Sequence, residues 1–504
     1  MTRLHRVLGT VVVLVSLVAV LTMSLSAKTV TGGKSSTTQA AKPSHVAHGR
    51  HGQAVRSSHS KSSKSAKGRK TNSTSDASGV HPCKKRSKCR ARAVRRADSS
   101  PRMTVAPDEP LKTPTGEESS SVTEASIINP SALAPFFERL SALEANSSSG
   151  SVHILHYGDS HTAADMFTGE MRARLQARFG DGGTGFSAGG YPFAGYRVHG
   201  TKRSQTAGWT TEGTHLRDIG DGLLGIGGIS ISTDQPGESV TLDAEAQTAE
   251  LFYLQQPGGG RIEIYESDAS LVDGTSAPVA TISTDGELSA GIFTIPTAGE
   301  SAVMRHFEVR TLDAAPVRIF GFTAQKNAGL TYEVMGINGA EASLILKWNE
   351  KLQSAYIAQR KPALVVLDYG TNEAANHTWE YENYKSMFRE LIARVRRAAP
   401  GVPILVLGPT DRDLRATRRR WANFQGTERI TKAQRDLCME EGCAFWSQQG
   451  AMGGWGSMGN WVRSGLAQGD HTHLTAAGYI KLADSLTVEL MHQYEDYLKT
   501  AARN

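Results

Sequence analysis

Beyond residue 130 the apolar positions follow two rhythms, one near 3.6 residues and one of 2. Pro135–Glu144 spaces its apolar side chains as a short amphipathic helix. Val152–Tyr157 reads as a short buried strand running into Gly158-Asp159-Ser160. Apolar residues at 163, 164, 166, 167, 171, 175 and 179 then trace one stripe, which predicts a helix over 162–179. Asp181-Gly-Gly-Thr-Gly185 follows; it lacks the Lys-Ser/Thr of a phosphate loop and reads as a helix stop. From Gly195 to Gln325 the rhythm becomes that of strands, at 226–232, 239–242, 249–254, 261–265, 279–284, 291–294, 304–310 and 317–324. Gly, Pro and Asp punctuate them, so this stretch predicts a β-sandwich or jelly roll. Lys361–Gly370 carries a second buried strand, followed by Thr371-Asn372-Glu373 and then a helical stretch. A helix from Ala476 to about Leu498 follows near the end of the chain.

The first 125 residues have neither rhythm. They contain no Phe, Trp or Tyr and hold 22 Lys+Arg against 7 Asp+Glu, whereas the remainder holds 34 against 42. The overall charge of +7 therefore averages a basic arm and a mildly acidic globule. A Ser/Lys/Arg-rich segment without aromatics cannot bury enough apolar surface to offset the cost of ordering it, so residues 28–125 read as a disordered linker. The positive charge does not sit on a folded face, which argues against a specific nucleic-acid binder. Met1-Thr-Arg3-Leu-His5-Arg6 precedes an apolar run from Val7 to about Leu25, the build of an export signal. Ser24-Leu25-Ser26 offers small residues for cleavage after Ser26, yet the run is also just long enough to span a bilayer, which takes roughly 20 residues. Residues 1–27 are thus a signal peptide or a retained inner-membrane anchor, and either places the globule in the periplasm or cell envelope. The arm between them serves as a solvated spacer or adheres to an anionic envelope polymer or membrane surface. Cys83 with Cys89, and Cys438 with Cys443, suit disulfides in an oxidising compartment; four free thiols are the alternative. The Cys83/Cys89 spacing is too loose to argue for zinc.

Three segments carry candidate chemistry. Ser160 sits at a strand-to-helix junction, where a helix N-terminus supplies N–H groups to a developing oxyanion; by itself Gly-Asp-Ser is a weak match, and the plainer reading is a Ser that caps the helix. Asn372 also lies just past a strand end, where its amide can donate to an oxyanion or cap a helix. In Asp470-His471-Thr472-His473 a carboxylate three residues before an imidazole can set the tautomer of His473 and stabilise its cation. His471 is a nearby decoy, and a metal site built from these two histidines and Asp470 lacks convincing further ligands.

In the order Ser160, Asn372, Asp470-x-x-His473, these segments resemble the SGNH (GDSL-type) hydrolase superfamily. The glycine block of that superfamily is matched by Met335-Gly336-Ile337-Asn338-Gly339-Ala340, just before a helical pattern from Glu341. Gly339 is the better match and Gly336 its competitor. Glu373 stands where many members carry Asp, and His161 where Leu is usual; both read as variations that leave the catalytic set intact. Gly-Asp-Ser-His, Gly-Thr-Asn-Glu and the stretches Glu441–Trp446 and Ala451–Gly454 resemble the bacterial peptidoglycan O-acetylesterase branch.

That resemblance implies a three-layer α/β/α hydrolase fold with a parallel sheet, occupying 126–194 and 329–504, and an inserted β-rich, carbohydrate-binding-module-like domain over 195–328. It implies Ser160 as nucleophile, His473 as base, Asp470 as its orienting partner, and an oxyanion hole from Ser160, Gly339 and Asn372. No metal or organic cofactor is required. The implied substrate is an O-acetylated envelope polysaccharide, peptidoglycan first. The rivals are an acetyltransferase, an esterase on another carbohydrate or lipid ester, and a glycan-binding scaffold without activity. Trp209, Tyr253 and Tyr265 could stack on sugars or fill the sandwich core. Arg412, Arg415 and Arg418–Arg420 near Trp421 read as a solvated helix face, with a polyanion site as the alternative. For the arm, adhesion predicts salt-sensitive retention on isolated envelope that deletion of residues 50–97 abolishes; a spacer predicts no change in a co-sedimentation assay.

Overall fold

The computed structural model describes residues 126–145, 150–214, 219–271 and 277–503. The leader, the basic arm and Cys83 and Cys89 lie outside these residues. The hydrolase part is built on a five-stranded sheet in the spatial order Gly329–Gly336, Ser151–Gly158, Leu364–Asp368, Ile404–Gly408, Ala444–Ser447, with every neighbouring pair parallel. In chain order this is the 2-1-3-4-5 arrangement of a doubly wound sheet, whose ligand crevice lies at the carboxyl ends beside the first strand.

Both faces of this sheet are buried, and alternate residues face opposite layers. Val152, Ile154, Leu364, Val366, Leu405 and Leu407 pack with helices Ala134–Glu144, Phe167–Phe179 and Ala476–Ala501. Leu155, Tyr157, Val365, Leu367 and Val406 face the other way, toward helices Glu350–Arg360, Tyr381–Ala398 and Gln425–Glu441. Near-continuous apolar strands between two helical layers give the expected three-layer α/β/α arrangement.

The crossover from the first strand to its edge neighbour carries two antiparallel sheets. One runs Ser289–Ile295, Thr248–Gln255, Val317–Gln325, Ser230–Thr233, Thr210–Glu212, and Gly185–Ala188 also pairs with Val317–Gln325. The other runs Thr201–Gln205, Ser239–Ala246, Val303–Thr311, Arg261–Asp268, Ala280–Ser283. Ile231, Leu251, Ile319 and Phe322 of the first sheet meet Val240, Leu242, Ile264 and Phe307 of the second in one core, as in a β-sandwich. All eight strands expected from the alternation are present, although the one expected from residue 226 begins at Ser230. Three more, at Gly185–Ala188, Thr201–Gln205 and Thr210–Glu212, were not visible as apolar alternation; Thr201–Gln205 holds no apolar residue at all. Trp209 and Tyr253 belong to the sandwich core, whereas Tyr265 lies toward the surface, bonded to Glu263 and beneath Arg310.

Two other expectations change. The stripe at 162–179 is two helices, Ser160–Ala163 and Phe167–Phe179, because Asp165 adopts a left-handed conformation (φ 52°) between them. Its fully buried carboxylate accepts from Thr168 Oγ1 (2.7 Å), Arg172 Nη2 (2.6 Å) and the His199 N–H (2.7 Å), which outweighs continuing the helix. Cys438 and Cys443 are free buried thiols rather than a disulfide. They close the end of helix Gln425–Glu441, where the Cys443 N–H donates to the Cys438 carbonyl (2.9 Å).

The sandwich is fixed to the parallel sheet by a buried charge. Glu333, on the edge strand, pairs with Arg360 and accepts from Thr331 Oγ1 (2.9 Å). Arg360 also reaches Gln325 Oε1 (3.1 Å) and Glu250 (3.6 Å) on two sandwich strands. Burial pushes the Glu333 carboxyl up, but Arg360 and His153 outweigh it and hold it down at about 2. Arg360→Ala would strand that carboxylate and is expected to cost about 3–5 kcal/mol in urea unfolding at neutral pH. A cost below about 1 kcal/mol would show that the pair does not tie the two parts together.

Candidate active site

The carboxyl ends of three adjacent parallel strands bring the candidate residues together. Ser160 opens a short helix right after strand Ser151–Gly158, with Asp159 as its N-cap accepting from the His161 N–H. Gly158 lies opposite Gly336 on one side and Asp368 on the other. A Cβ at Gly336 would strike the Ala163 backbone, so this glycine lets the nucleophile turn lie against the edge strand. Gly339 differs: it is half-buried in a left-handed turn (φ 73°), and a Cβ there would meet open space. Gly336 is needed for close approach, whereas Gly339 is favoured by its left-handed backbone alone.

Ser160 Oγ lies 2.9 Å from His473 Nε2, and His473 Nδ1 lies 2.7 Å from Asp470 Oδ2. Asp470 Oδ1 also accepts the backbone N–H groups of Thr472 and His473, both at 3.0 Å. With Nδ1–H donating to the carboxylate, Nε2 is left to accept the serine proton. Burial pushes the Asp470 carboxyl up, but the His473 ring and these N–H groups outweigh it and hold it well below the usual range. The same bond raises His473 above its ordinary value against partial burial.

Asn372, in the helix Thr371–Ala375 after strand Leu364–Asp368, donates to the Ala340 carbonyl (2.9 Å) and to Asp159 Oδ2 (3.2 Å). It thereby connects the glycine turn to the nucleophile turn. Burial, then Asp368, push Asp159 well above the ordinary carboxylate range. Glu373 is fully buried, raised by desolvation to about 7, and accepts the Ala342 N–H (2.7 Å). It anchors the chain just after Gly339.

The fold gives His161 a place and adds residues to which motif reading assigned no role. His161 is buried against the His473 ring (centroids 5.3 Å apart) and pairs with Tyr479 through Nδ1 (3.0 Å). Desolvation, then His473, depress it to about 3, so it is a neutral packing surface for the base. Thr162 Oγ1, Gln448 Nε2 and His156 Nε2 converge on Asp368 at 3.1, 2.6 and 3.3 Å, tying the nucleophile turn to the third strand. Buried polar residues at strand ends are the only signal for this network in the sequence.

His471 turns away from Ser160. Its Nδ1 lies 2.7 Å from Asp413 Oδ2, and its ring stacks on Trp421 with centroids 4.1 Å apart. The arginine cluster around Trp421 is not a helix face. Asp413–Thr417 and Arg420–Asn423 form an antiparallel hairpin, and Arg412 at its base donates to the Thr371 carbonyl (2.7 Å).

Residues 307–480 match the GDSL-like lipase/acylhydrolase family. The chain carries an SGNH hydrolase domain. The match contains Gly339, Asn372, Asp470 and His473 but starts after Ser160, which the fold supplies from across the sandwich. A solved peptidoglycan O-acetylesterase is 26% identical, over 73% of this chain and 99% of its own, with a TM-score of 0.61. A family two carbohydrate esterase from Clostridium thermocellum, in complex with cellohexaose, is 14% identical over 52% of this chain and 94% of its own (TM-score 0.26). One from Cellvibrio japonicus is 12% identical over 59% and 99% (TM-score 0.25). No curated protein sequence matches the chain. The chain is a carboxylic ester hydrolase with a GDSL-like domain, similar to a peptidoglycan O-acetylesterase.

Because the base must be neutral to take the serine proton, kcat/KM is expected to rise with pH through a midpoint above 6.5, set by the raised His473. Asp470→Asn should move that midpoint down and cut kcat by about 10⁴-fold. A pH–rate profile with an unmoved midpoint would separate Asp470 from the titration.

Proposed function

We propose that the protein is an exported serine esterase that removes O-acetyl groups from an envelope polysaccharide, peptidoglycan in the first place. The hydrogen-bonded line Ser160–His473–Asp470 carries this reading. The 26%-identical peptidoglycan O-acetylesterase, whose whole length is covered, supports the substrate. The basic leader and apolar run at the start of the chain support export.

His473 Nε2 takes the proton as Ser160 Oγ attacks the acetyl carbonyl carbon. The charge that develops on the carbonyl oxygen is held by the N–H groups of Ser160 and Gly339 and by Asn372. Asn372 provides the hydrogen now on Asp159, the longer of its two bonds. Collapse breaks the bond to the sugar oxygen, which receives the proton from His473 and leaves as the free hydroxyl. Water then adds to the acetyl-serine with His473 again as base, releasing acetate and restoring Ser160. The His473 and Asp470 side chains keep 38% and 48% of their surface open, which favours water over a second sugar as acceptor.

Acetate release from O-acetylated peptidoglycan is the test. The wild type is expected to release it, Ser160→Ala to release none above background, and Asn372→Ala to lose about 10²–10³ in kcat. Cleavage of an acetyl-ester dye without acetate from peptidoglycan would keep the chemistry and discard the substrate.

A further inference from the structure

The hairpin of Asp413–Thr417 and Arg420–Asn423 holds five arginines within nine residues, at 412, 415, 418, 419 and 420. Many arginines elsewhere in the globule meet carboxylates, as in Arg172–Asp165, Arg305–Glu266, Arg360–Glu333 and Arg397–Glu350, although others, such as Arg203 and Arg394, bond carbonyl and amide oxygens instead. Among the described residues no carboxylate meets Arg415, Arg418, Arg419 or Arg420, and all four are exposed. Asp413 beside them is taken by His471. Arg415 lies over the Trp421 ring and bonds the Arg418 carbonyl, so Arg418, Arg419 and Arg420 are left as a solvent-facing positive patch on an otherwise acidic globule, a place that draws an outside anion.

The cluster borders a cleft of about 700 Å³ lined by Arg420, Trp421, Phe424, Arg429 and Trp455, among others. Trp455 keeps 47% of its surface exposed, between Gly454 and Gly456, which both hold left-handed backbone (φ 86° and 84°). Arg429 keeps its Nε buried without an acceptor. A wide cleft pairing an open indole with unpaired guanidinium groups matches a sugar chain that bears carboxylates. The hairpin is also fastened to the catalytic loop. Asp413 bonds the His471 ring (2.7 Å) and its N–H reaches the His471 carbonyl (3.1 Å), while Trp421 stacks on the same ring. His471 lies between Asp470 and His473, so whatever the hairpin holds is carried by the base's own loop.

We propose that this cleft is a subsite for a carboxylate-bearing glycan strand, recognised by Arg418, Arg419, Arg420 and Trp455 and delivered to Ser160 by the hairpin's attachment to His471. The proposal rests on the esterase reading for its link to catalysis, but the binding itself does not. A muramoyl glycan with its peptide stems has the required chemistry.

The test is co-sedimentation of the full chain with de-O-acetylated sacculi, native or with their carboxylates amidated. Replacing Arg418, Arg419 and Arg420 together by Gln is expected to weaken binding to native sacculi about tenfold, the scale of three exposed charge contacts. The difference from wild type should shrink at high salt and vanish on amidated sacculi. The corresponding triple Lys variant should keep most of the binding, and Trp455→Ala should weaken binding to both preparations. On O-acetylated peptidoglycan the triple Gln variant should lose about tenfold more kcat/KM than on a neutral acetyl-ester dye, through KM. Equal binding of wild type and triple Gln variant to native sacculi overturns the subsite and leaves the esterase reading standing. A loss seen on phosphatidylglycerol vesicles but not on sacculi assigns the cluster to a lipid surface and also overturns it. Failure of the wild type to release acetate, with carboxylate-dependent binding intact, removes the proposed reaction and keeps the subsite.

Discussion

Parallel pairing of Ser151–Gly158 with Gly329–Gly336 is the constraint on which the site depends. These strands are separated in the chain by the whole sandwich, yet they end level, with Gly158 opposite Gly336. Neither glycine has room for a side chain: a Cβ on Gly158 would strike Thr162, and one on Gly336 would strike Ala163. The short helix bearing Ser160 can therefore settle on the neighbouring strand end. The buried Glu333–Arg360 pair holds the far part of this edge strand to the sandwich. The insertion is thus fastened beside the pairing that it interrupts in sequence.

The site uses one kind of group in two ways. Asp470 is half-exposed, surrounded by N–H donors, and held ionised. Asp159 and Glu373 are fully buried and pushed upward, and they hold backbone and amide groups in place. Burial and donor count decide which carboxyl stays ionised beside His473 and which ones are pushed upward beside the Asn372 amide and the Ala342 N–H. His161 and His473 divide in the same manner, since burial keeps the first neutral while Asp470 lifts the second.

The hairpin joins these parts to the outer surface. His471 sits between the two catalytic-loop residues yet belongs to the hairpin through Asp413 and Trp421. The four residues 470–473 thus carry the Asp470–His473 pair at their ends and the hairpin contact of His471 between them. The hairpin arginines lie outside the ion-pair pattern that holds the rest of the globule together.

Local signals were enough for the buried strands, the eight alternating sandwich strands and the order Ser160, Asn372, Asp470-x-x-His473. Each of these rests on neighbouring side chains in the chain: a strand's face, or a carboxylate three residues before its imidazole. What sequence left open was settled by contacts between distant residues. Asp165 broke a continuous helical stripe because Arg172 and His199 meet its carboxylate in the folded state. The arginine run at 412–420 became a hairpin because Asp413 and Trp421 close on His471, some fifty residues later. Gly336 and Gly339 look alike in the chain and differ in backbone conformation and in what lies across from them. Periodicity records which face of an element is buried; it does not record what that face meets, and the catalytic geometry is set by that meeting.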